Sequence, residues 1–183
     1  MPSVSSDPMQ PVVVIRACEV ADIPEMVQSF MAIGWDKPQT LFEQYLAEQQ
    51  AGVRNIWIAR AQNQFAGYVT LAWQSQYGPF ATQGIPEIMD LNVLPTFRKQ
   101  GIGAQFLAVA ETQAATKSAI VGLGVGLYGG LDGGYGPAQR LYIKHGYLPD
   151  GKGVMYAYQP AVPGAQVRLD DDLVLFMTKS CRV

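Results

Sequence analysis

The sequence contains few of the residues that bind metals or build disulfide frameworks. Its 183 residues include one histidine, His145, and two cysteines, Cys18 and Cys181. Because no cysteine or histidine cluster has the spacing of a metal site, we expect no bound metal. The two cysteines lie at opposite ends of the chain and form no framework, which favours reduced thiols and a cytoplasmic location.

A strong net charge and long apolar runs are also missing. The formal net charge of −2 gives no electrostatic reason to expect nucleic-acid binding. No apolar run approaches the roughly 18–20 residues that span a bilayer, so we expect no membrane partner. Residues 1–10 lack the basic start and the apolar core of a secretory signal, and we predict a flexible tail there. Residues 11–183 are then predicted to form a single domain, because domains usually hold about 100–200 residues.

Residues 87–115 carry the clearest local pattern in the sequence. Residues 87–94 are mostly β-formers and stop at Pro95, whereas Ile102, Phe106 and Val109 recur at helical spacing. The pattern predicts a strand, a glycine turn and a helix. The amides of residues 100–104 fall on the first turn of that helix, where N–H groups lack intrahelical partners and attract phosphate. The alternative is an ordinary packing turn.

The remaining elements follow from apolar periodicity and from turn residues. Further helices are predicted at residues 23–31, 38–50 and 137–144, and strands at residues 12–16, 56–59, 65–73, 118–125, 147–148, 154–158 and 173–178. Asp22 and Glu25 have the spacing of a capping box at the first helix. The strands at 56–59 and 65–73 should form an antiparallel hairpin. The last strand is apolar enough to pair across a homodimer.

Two glycine motifs resemble nucleotide-binding sequences but lack essential parts. Gly124-Val-Gly-Leu-Tyr-Gly129 fits a dinucleotide fingerprint, yet more glycines follow it where a helix must begin. The segment from Gly146 to Lys152 begins like a phosphate loop, but Gly153 replaces the serine or threonine that would hold magnesium. We therefore discount both a dinucleotide-dependent oxidoreductase and a nucleotide triphosphatase.

Two other motifs resemble those of the GCN5-related N-acetyltransferase (GNAT) superfamily. Arg98-Lys-Gln-Gly-Ile-Gly103 is similar to the family's Arg/Gln-x-x-Gly-x-Gly/Ala signature, and it follows a strand. The segment from Ala138 to Tyr147, Ala-Gln-Arg-Leu-Tyr-Ile-Lys-His-Gly-Tyr, is similar to the helix of the second family motif. The resemblance implies an α/β (α+β) fold: a mixed, largely antiparallel central sheet with splayed strands, flanked by helices.

The resemblance also implies acetyl-CoA as the acetyl donor. Its pyrophosphate would be held by backbone amides in the glycine turn, and its pantetheine arm by the main chain of the preceding strand. The implied coenzyme-binding residues are Leu91, Val93, Arg98, Lys99, Gln100, Gly101, Ile102, Gly103, Ala104 and Tyr142. Many family members have asparagine where this chain has Tyr135, so contacts from that loop are expected to differ.

Proton transfer needs further side chains, because an amine must lose a proton before it attacks and the departing thiolate benefits from one. Tyr142 matches the family tyrosine proposed as general acid; its alternative is a tyrosine packed in the core. Glu87 has the register of the carboxylate in the histone-acetylating branch, as base or water relay; its alternative is an exposed charge. Asp90 should point to the opposite strand face from Glu87, because side chains alternate. It could bind a cationic acceptor or pair with a neighbouring helix.

The sequence therefore predicts an acetyl-CoA-dependent N-acetyltransferase that acts on a primary amine of a small molecule or protein by direct attack in a ternary complex. The alternative from another class is a non-catalytic acyl-CoA sensor or partner-binding domain. The acidic run from Asp170 to Asp172 could attract a cationic acceptor, or could be a solvated turn. The identity of the acceptor is not encoded in these motifs.

Overall fold

The computed structural model describes residues 12–130 and 134–181. The predicted tail at residues 1–10 lies outside the described residues. Within the described ranges, eight strands join one sheet in the order β1-β2-β3-β4-β5-β8-β6-β7. The strands are β1 (Val13–Ala17), β2 (Arg54–Ala61), β3 (Gln64–Ala72), β4 (Glu87–Val93), β5 (Ile120–Gly126), β6 (Leu148–Tyr156), β7 (Gln159–Pro160) and β8 (Leu173–Ser180).

Within the described residues, four helices lie close to the predicted positions, and a short fifth one falls where the sequence predicts no helix. They are α1 (Ile23–Met31), α2 (Gln39–Gln50), α3 (Gly78–Ala81), α4 (Ile102–Ala114) and α5 (Gly136–Lys144). Proline stands at the start of several of them, where the missing N–H has no intrahelical partner to lose. The single turn of α3 lies in residues 74–86, a segment without sequence periodicity.

The predicted capping box at α1 is wrong. The carboxylate of Asp22 instead forms two hydrogen bonds with Arg16 and accepts the amide of Glu19 at 2.8 Å. The Glu25 carboxylate binds Arg60 at 2.7 Å and accepts the amide of Phe65 at 2.9 Å. Both carboxylates therefore bind residues of the sheet, in β1, β2 and β3. Because they are engaged there, they form no capping box at the start of α1.

The sheet is mixed and largely antiparallel, as the family resemblance implies. The exception is the parallel pair of β4 and β5, which among the described residues is registered only at Glu87 with Gly122 and Ile88 with Leu123. Beyond these positions β4 continues its pairing with β3, and β5 continues its pairing with β8. The two central strands therefore separate after two residues and leave a cleft in the middle of the sheet.

Helices cover both faces of the sheet. On one face, the rings of Phe30 in α1 and Phe42 in α2 pack edge-on against Tyr68, with ring centroids 5.6 and 5.3 Å away. On the other face, α4 lies over β4, and the Cδ2 atom of Leu91 is 3.8 Å from a Cβ built at Gly103. Helix α4 thus packs against β4, one of the two strands that border the cleft.

A separate aromatic cluster supports β5. Tyr77 and Phe176 stack with ring centroids 3.8 Å apart, and Phe80 packs edge-on against both. A Cβ at Gly122 would meet the Phe80 ring at 2.1 Å, and one at Gly126 would meet the Tyr135 ring at 2.3 Å. The segment that resembles a dinucleotide fingerprint thus begins inside β5. Glycines in this strand leave room for aromatic rings.

The prediction that the last strand pairs across a dimer is also wrong. Strand β8 lies between β5 and β6 and forms antiparallel ladders with both. An interior strand has no free edge to offer a second copy. Among the described strands, the edges of the sheet are β1 and β7. No helix in these ranges is both long and apolar enough to cross a membrane.

Candidate active site

Glu87 is a buried carboxylate at the point where β4 and β5 begin to separate. Its side chain is 3% exposed, and its Oε2 atom accepts a hydrogen bond from the Ser75 hydroxyl at 2.5 Å. Burial raises the pKa of Glu87, with a further contribution from the charge of Asp90, while the Ser75 hydrogen bond and the Arg54 guanidinium oppose the rise. The alternative of an exposed strand-start charge is therefore wrong.

Asp90 occupies a bulge in the same strand. Its φ angle is +51°, and the register between β3 and β4 shifts between Tyr68 and Thr70. Its Oδ2 atom accepts the Tyr45 hydroxyl at 2.6 Å, and its Oδ1 atom lies 3.5 Å from the Lys37 ammonium. Both partners come from α2 or the loop before it, so Asp90 pairs with the neighbouring helix, one of its two predicted roles.

The bulge overturns the prediction that Asp90 and Glu87 point to opposite faces. The Met89 sulfur lies 3.9 Å from Arg54 Nη1, and the Arg54 guanidinium lies 4.5 Å from the ring centroid of Tyr45, the partner of Asp90. Met89 and Asp90 therefore both face α2. Glu87 shares the face of Met89 by the two-residue period. The bulge inserts an extra residue, and alternation fails there.

The glycine turn presents unpaired amides, as the sequence predicts. Lys99 and Gly101 have φ angles of +63° and +79°, and Gly101 is the N-cap of α4. The first hydrogen bond of the helix runs from the Gln105 amide to the Gly101 carbonyl at 3.1 Å. Within the described chain, the amides of residues 99–104 donate to no protein acceptor. Left-handed residues next to a helix start form a concave nest of N–H groups that suits a phosphate.

The two signature glycines serve different purposes in this turn. Gly101 has open space around its Cα atom but needs a left-handed φ, which glycine adopts without strain. Gly103 has ordinary helical geometry, and a Cβ there would lie 3.0 Å from the Leu141 side chain on α5. Close packing against α5 thus explains why residue 103 is a glycine, whereas the left-handed backbone conformation explains why residue 101 is one.

The main chain of β4 faces the cleft at the residues predicted to hold the pantetheine arm. The Leu94 amide donates to Ala66 on β3 at 2.9 Å. Because hydrogen-bonding direction alternates along a strand, the groups of Val93 and Leu91 face the β5 side. The Arg98 Nε atom donates to the Val93 carbonyl at 3.2 Å, and its guanidinium lies 5.7 Å from the Trp35 ring centroid. The exposed Arg98 thus braces the end of β4.

Tyr142 lies on α5 with its ring buried in the main core. It is 7% exposed, and its ring centroid is 6.0 Å from that of Tyr147. Burial raises the pKa of Tyr142 to about 12, so the hydroxyl is protonated at neutral pH. Burial is the single influence on this pKa, with no hydrogen bond to the hydroxyl from the described residues, which leaves its proton available to a ligand.

The loop after β5 is tied to the acidic run before β8. The hydroxyl groups of Tyr128 and Tyr135 both donate to Asp171 Oδ1 at 2.8 Å. Asp170 accepts the Tyr156 hydroxyl at 3.2 Å and the backbone amide of Asp172 at 3.2 Å. These acids therefore hold the turn and the loop together, and Tyr135 takes part in a structural contact at the position of the family's asparagine.

The family model described as Acetyltransferase (GNAT) domain matches residues 52–149, which is more than half of the chain. The match includes β4, the glycine turn, α4 and Tyr142. The chain belongs to the GNAT acetyltransferase family. No curated protein matches the chain.

Solved structures share the GNAT fold at low sequence identity. An N-acetyltransferase from Staphylococcus aureus Mu50 is 14% identical, covers 93% of this chain and 99% of its own, and has a TM-score of 0.68. The protein yncA from Salmonella typhimurium, whose structure contains its cofactor acetyl-CoA, is 16% identical, covers 93% and 94%, and has a TM-score of 0.67. A ribosomal-protein-alanine N-acetyltransferase from Brucella melitensis is 18% identical, covers 91% and 99%, and has a TM-score of 0.67.

Several polar residues of this GNAT site carry no motif in the sequence. Ser75 lies in an aperiodic segment, and Lys37 in a short loop between helices. Tyr45 appears in the sequence only as part of an apolar helix stripe. Tyr68 looks like an ordinary strand residue. Ser75 contacts Glu87, and Lys37 and Tyr45 contact Asp90, so these three residues reach the site through tertiary packing.

The described residues fit the phosphate and arm of acetyl-CoA. The nest at residues 99–104 supplies unpaired amides for an anion, and the cleft beside Leu91 and Val93 supplies strand-like main-chain groups. No group of three or more metal-binding side chains occurs within the described ranges.

Proposed function

We propose that this GNAT-family chain transfers an acetyl group from acetyl-CoA to a primary amine of a small molecule or protein by direct attack in a ternary complex. One observation carries the proposal: β4 begins at a buried carboxylate, Glu87, and leads into a turn with unpaired amides at residues 99–104. A single rigid strand therefore connects a proton acceptor with an anion-binding turn.

When bound, acetyl-CoA would supply the thioester that the amine attacks. Its pyrophosphate would be held by the amides of Lys99, Gln100, Gly101, Ile102, Gly103 and Ala104. The main-chain groups of Leu91 and Val93 would align the pantetheine arm in the cleft. Arg98 already donates to the Val93 carbonyl. The pantetheine arm would therefore either replace Arg98 at that carbonyl or accept a hydrogen bond from the Val93 amide. We assign Arg98 to the outer edge of the coenzyme site.

Glu87 would accept the proton of the acceptor amine, directly or through one water. Burial raises its pKa, and this makes the carboxylate a stronger base than an exposed glutamate. Asp90 would hold the cationic form of the acceptor nearby, because its carboxylate shares the face of Glu87. Tyr142 would donate the proton that the departing thiolate needs, since burial keeps its hydroxyl neutral.

Direct attack is supported by the state of the two thiols. Cys18 and Cys181 are both free, and burial raises the pKa of Cys18 to about 12. A thiol with so high a pKa is a poor nucleophile at neutral pH. Burial also raises the pKa of Cys181. Neither cysteine is therefore suited to carry an acetyl group between donor and acceptor.

A thiol-release assay tests the proposed function. Purified protein is incubated with acetyl-CoA and a panel of primary amines and N-terminal peptides, and free coenzyme A is measured. We expect turnover with at least one amine and loss of about 10²-fold in kcat for Glu87→Gln, the typical contribution of a general base. Tight coenzyme A binding without turnover on any acceptor would favour the non-catalytic sensor instead.

A further inference from the structure

The ammonium group of Lys37 lies where the proposed function places the cationic end of the acceptor. Lys37 belongs to the loop between α1 and α2, and its Nζ atom is 3.5 Å from Asp90 Oδ1. The same atom lies 5.8 Å from the ring centroid of Tyr68. A carboxylate together with an aromatic face is the environment that binds primary ammonium ions.

The two partners of Asp90 differ in how tightly they are held. The Tyr45 hydroxyl donates to Oδ2 at 2.6 Å, and Tyr45 is a buried residue of α2. The Lys37 contact, at 3.5 Å, is longer than the roughly 2.7–2.9 Å of a well-formed charge-assisted hydrogen bond. Both members of this ion pair are about one-fifth exposed. Tyr45 is therefore a fixed partner, and Lys37 is one that another cation can replace.

An unsatisfied hydroxyl lies beside this ion pair. Tyr68 is fully buried, and its hydroxyl has no hydrogen-bond partner among the described residues. Burial, followed by the nearby charge of Asp90, raises the pKa of Tyr68. The neighbouring Asn92 side chain donates to the Asp90 carbonyl at 3.0 Å and opposes the rise in the pKa of Tyr68. Tyr68 therefore contributes its ring face to the surroundings of the ammonium, 5.8 Å from Lys37 Nζ.

The other nearby cation does not compete for Asp90. Arg54 packs on the Tyr45 ring, donates to Thr70 at 2.8 Å and forms a close ion pair with Glu48. Its charge is therefore already neutralised by another carboxylate. Lys37 remains the cation that faces Asp90 from the helical side.

We propose that Lys37 is a tethered occupant of an ammonium subsite formed by Asp90, Tyr45 and Tyr68, and that a cationic acceptor displaces it to bind. The inference rests on the proposed function, which identifies the displacing cation as the acetyl acceptor. The exchange itself is non-covalent and does not require turnover. This exchange makes Lys37 a specificity-determining residue. A cationic acceptor can displace the Lys37 ammonium from Asp90, whereas a neutral acceptor cannot.

Calorimetric titration with 1,4-diaminobutane tests the exchange in the wild type, Lys37→Met and Lys37→Met/Asp90→Asn, each with saturating coenzyme A and without it. We expect Lys37→Met to bind the diamine at least tenfold more tightly than the wild type. The double variant should lose that gain. Lys37→Arg should behave like the wild type, because it keeps a tethered cation. Butane-1,4-diol, which has the same length but no charge, should bind none of them.

Lys144→Met, an exposed lysine in the last turn of α5, is the matched control for loss of one positive charge. Its diamine affinity should equal that of the wild type. Equal or weaker diamine binding by Lys37→Met, with coenzyme A affinity and melting temperature unchanged, would overturn the inference and make Lys37 a support for Asp90. Because the titration measures binding alone, a failure of acetyl transfer would appear separately in the thiol-release assay.

Discussion

The hydroxyl of Ser75 donates to the carboxylate of Glu87, and both side chains are at least 96% buried. The same hydroxyl accepts the Tyr77 amide at 2.9 Å, which fixes the direction of its proton towards Glu87. Ser75 thus acts on the proposed base as a positioning residue. It also opposes the rise that burial imposes on the pKa of Glu87.

Ser75→Ala should move the acid limb of the pH–rate profile to higher pH. Glu87 works as a base only when it is deprotonated, so activity falls as the pH drops through its pKa. Removal of a hydrogen bond that lowers that pKa raises it further. The measurement is kcat/KM for the acceptor across pH 5–9. Ser118→Ala, which removes a hydroxyl from an exposed turn, is the control and should leave the limb in place. An unshifted limb in Ser75→Ala would exclude Glu87 as the titrating base.

Glu87→Gln should stabilise the protein at neutral pH more than at acid pH. The pKa of Glu87 is raised in the folded state, so the folded protein holds this proton more tightly than the unfolded chain. Wild-type stability therefore declines as the pH rises from the unfolded pKa, about 4.3, through the higher folded pKa. Glutamine does not titrate and escapes this loss. Urea unfolding at pH 3.5 and pH 7.5 measures the difference between the two proteins, which should grow with pH. A difference that is constant between the two pH values would contradict the raised pKa.

Tyr142→Phe should reduce kcat by about 10²-fold, the scale of a lost general acid, and should lower coenzyme A affinity less than turnover. Because the pKa of Tyr142 is about 12, its ionisation should produce no basic limb below about pH 10. The control is Tyr147→Phe, which removes a hydrogen bond of 3.0 Å to Glu111 from the adjacent ring. That variant should lose stability and keep kcat. If Tyr142→Phe retains full turnover, the residue is a packing tyrosine.

Local sequence patterns predicted most helices and strands, because apolar periodicity and turn residues depend only on residues that are close in the sequence. Helix α1 agrees with its predicted bounds, and the glycine turn at Gly101 begins α4 as expected. The parts that failed depend on distant partners. The Asp22–Glu25 cap gave way to Arg16 and Arg60, and β8 became an interior strand because β6 returns beside it.

The candidate site shows the same division. Glu87, Tyr142 and the amides of the turn could be named from motifs, since their spacing follows the family signature. The bulge at Asp90 could not, because it is defined by how β4 registers against β3. That bulge brings Asp90 to the face of Glu87 and against Lys37. The acceptor side of the site is therefore determined by tertiary packing.

Gly101→Ala should weaken coenzyme A binding. The residue needs a φ of +79°, which costs an L-residue roughly 1–2 kcal/mol, and any relaxation would turn the adjacent amides away from the phosphate. We expect about tenfold weaker binding by calorimetry and a lower melting temperature. Gly52→Ala is a matched control: this glycine also has a positive φ, +73°, and open space, but it follows α2. It should share the loss of stability and leave coenzyme A affinity intact. Equal coenzyme affinity in both variants would exclude the turn as the phosphate site.

Gly122→Ala should destabilise the fold, because the glycines of β5 make room for aromatic rings. Its Cβ would lie 2.1 Å from a carbon of Phe80, whose ring is buried against Tyr77 and Phe176 and cannot move away freely. Overpacking of this kind usually costs about 1–3 kcal/mol. Urea unfolding should show this loss, and Gly129→Ala, where no atom of the described residues lies within 4 Å of a Cβ, should show almost none. Equal stability of the two variants would mean that the Phe80 ring can move aside at little energetic cost. The glycines of β5 would then need an explanation other than packing.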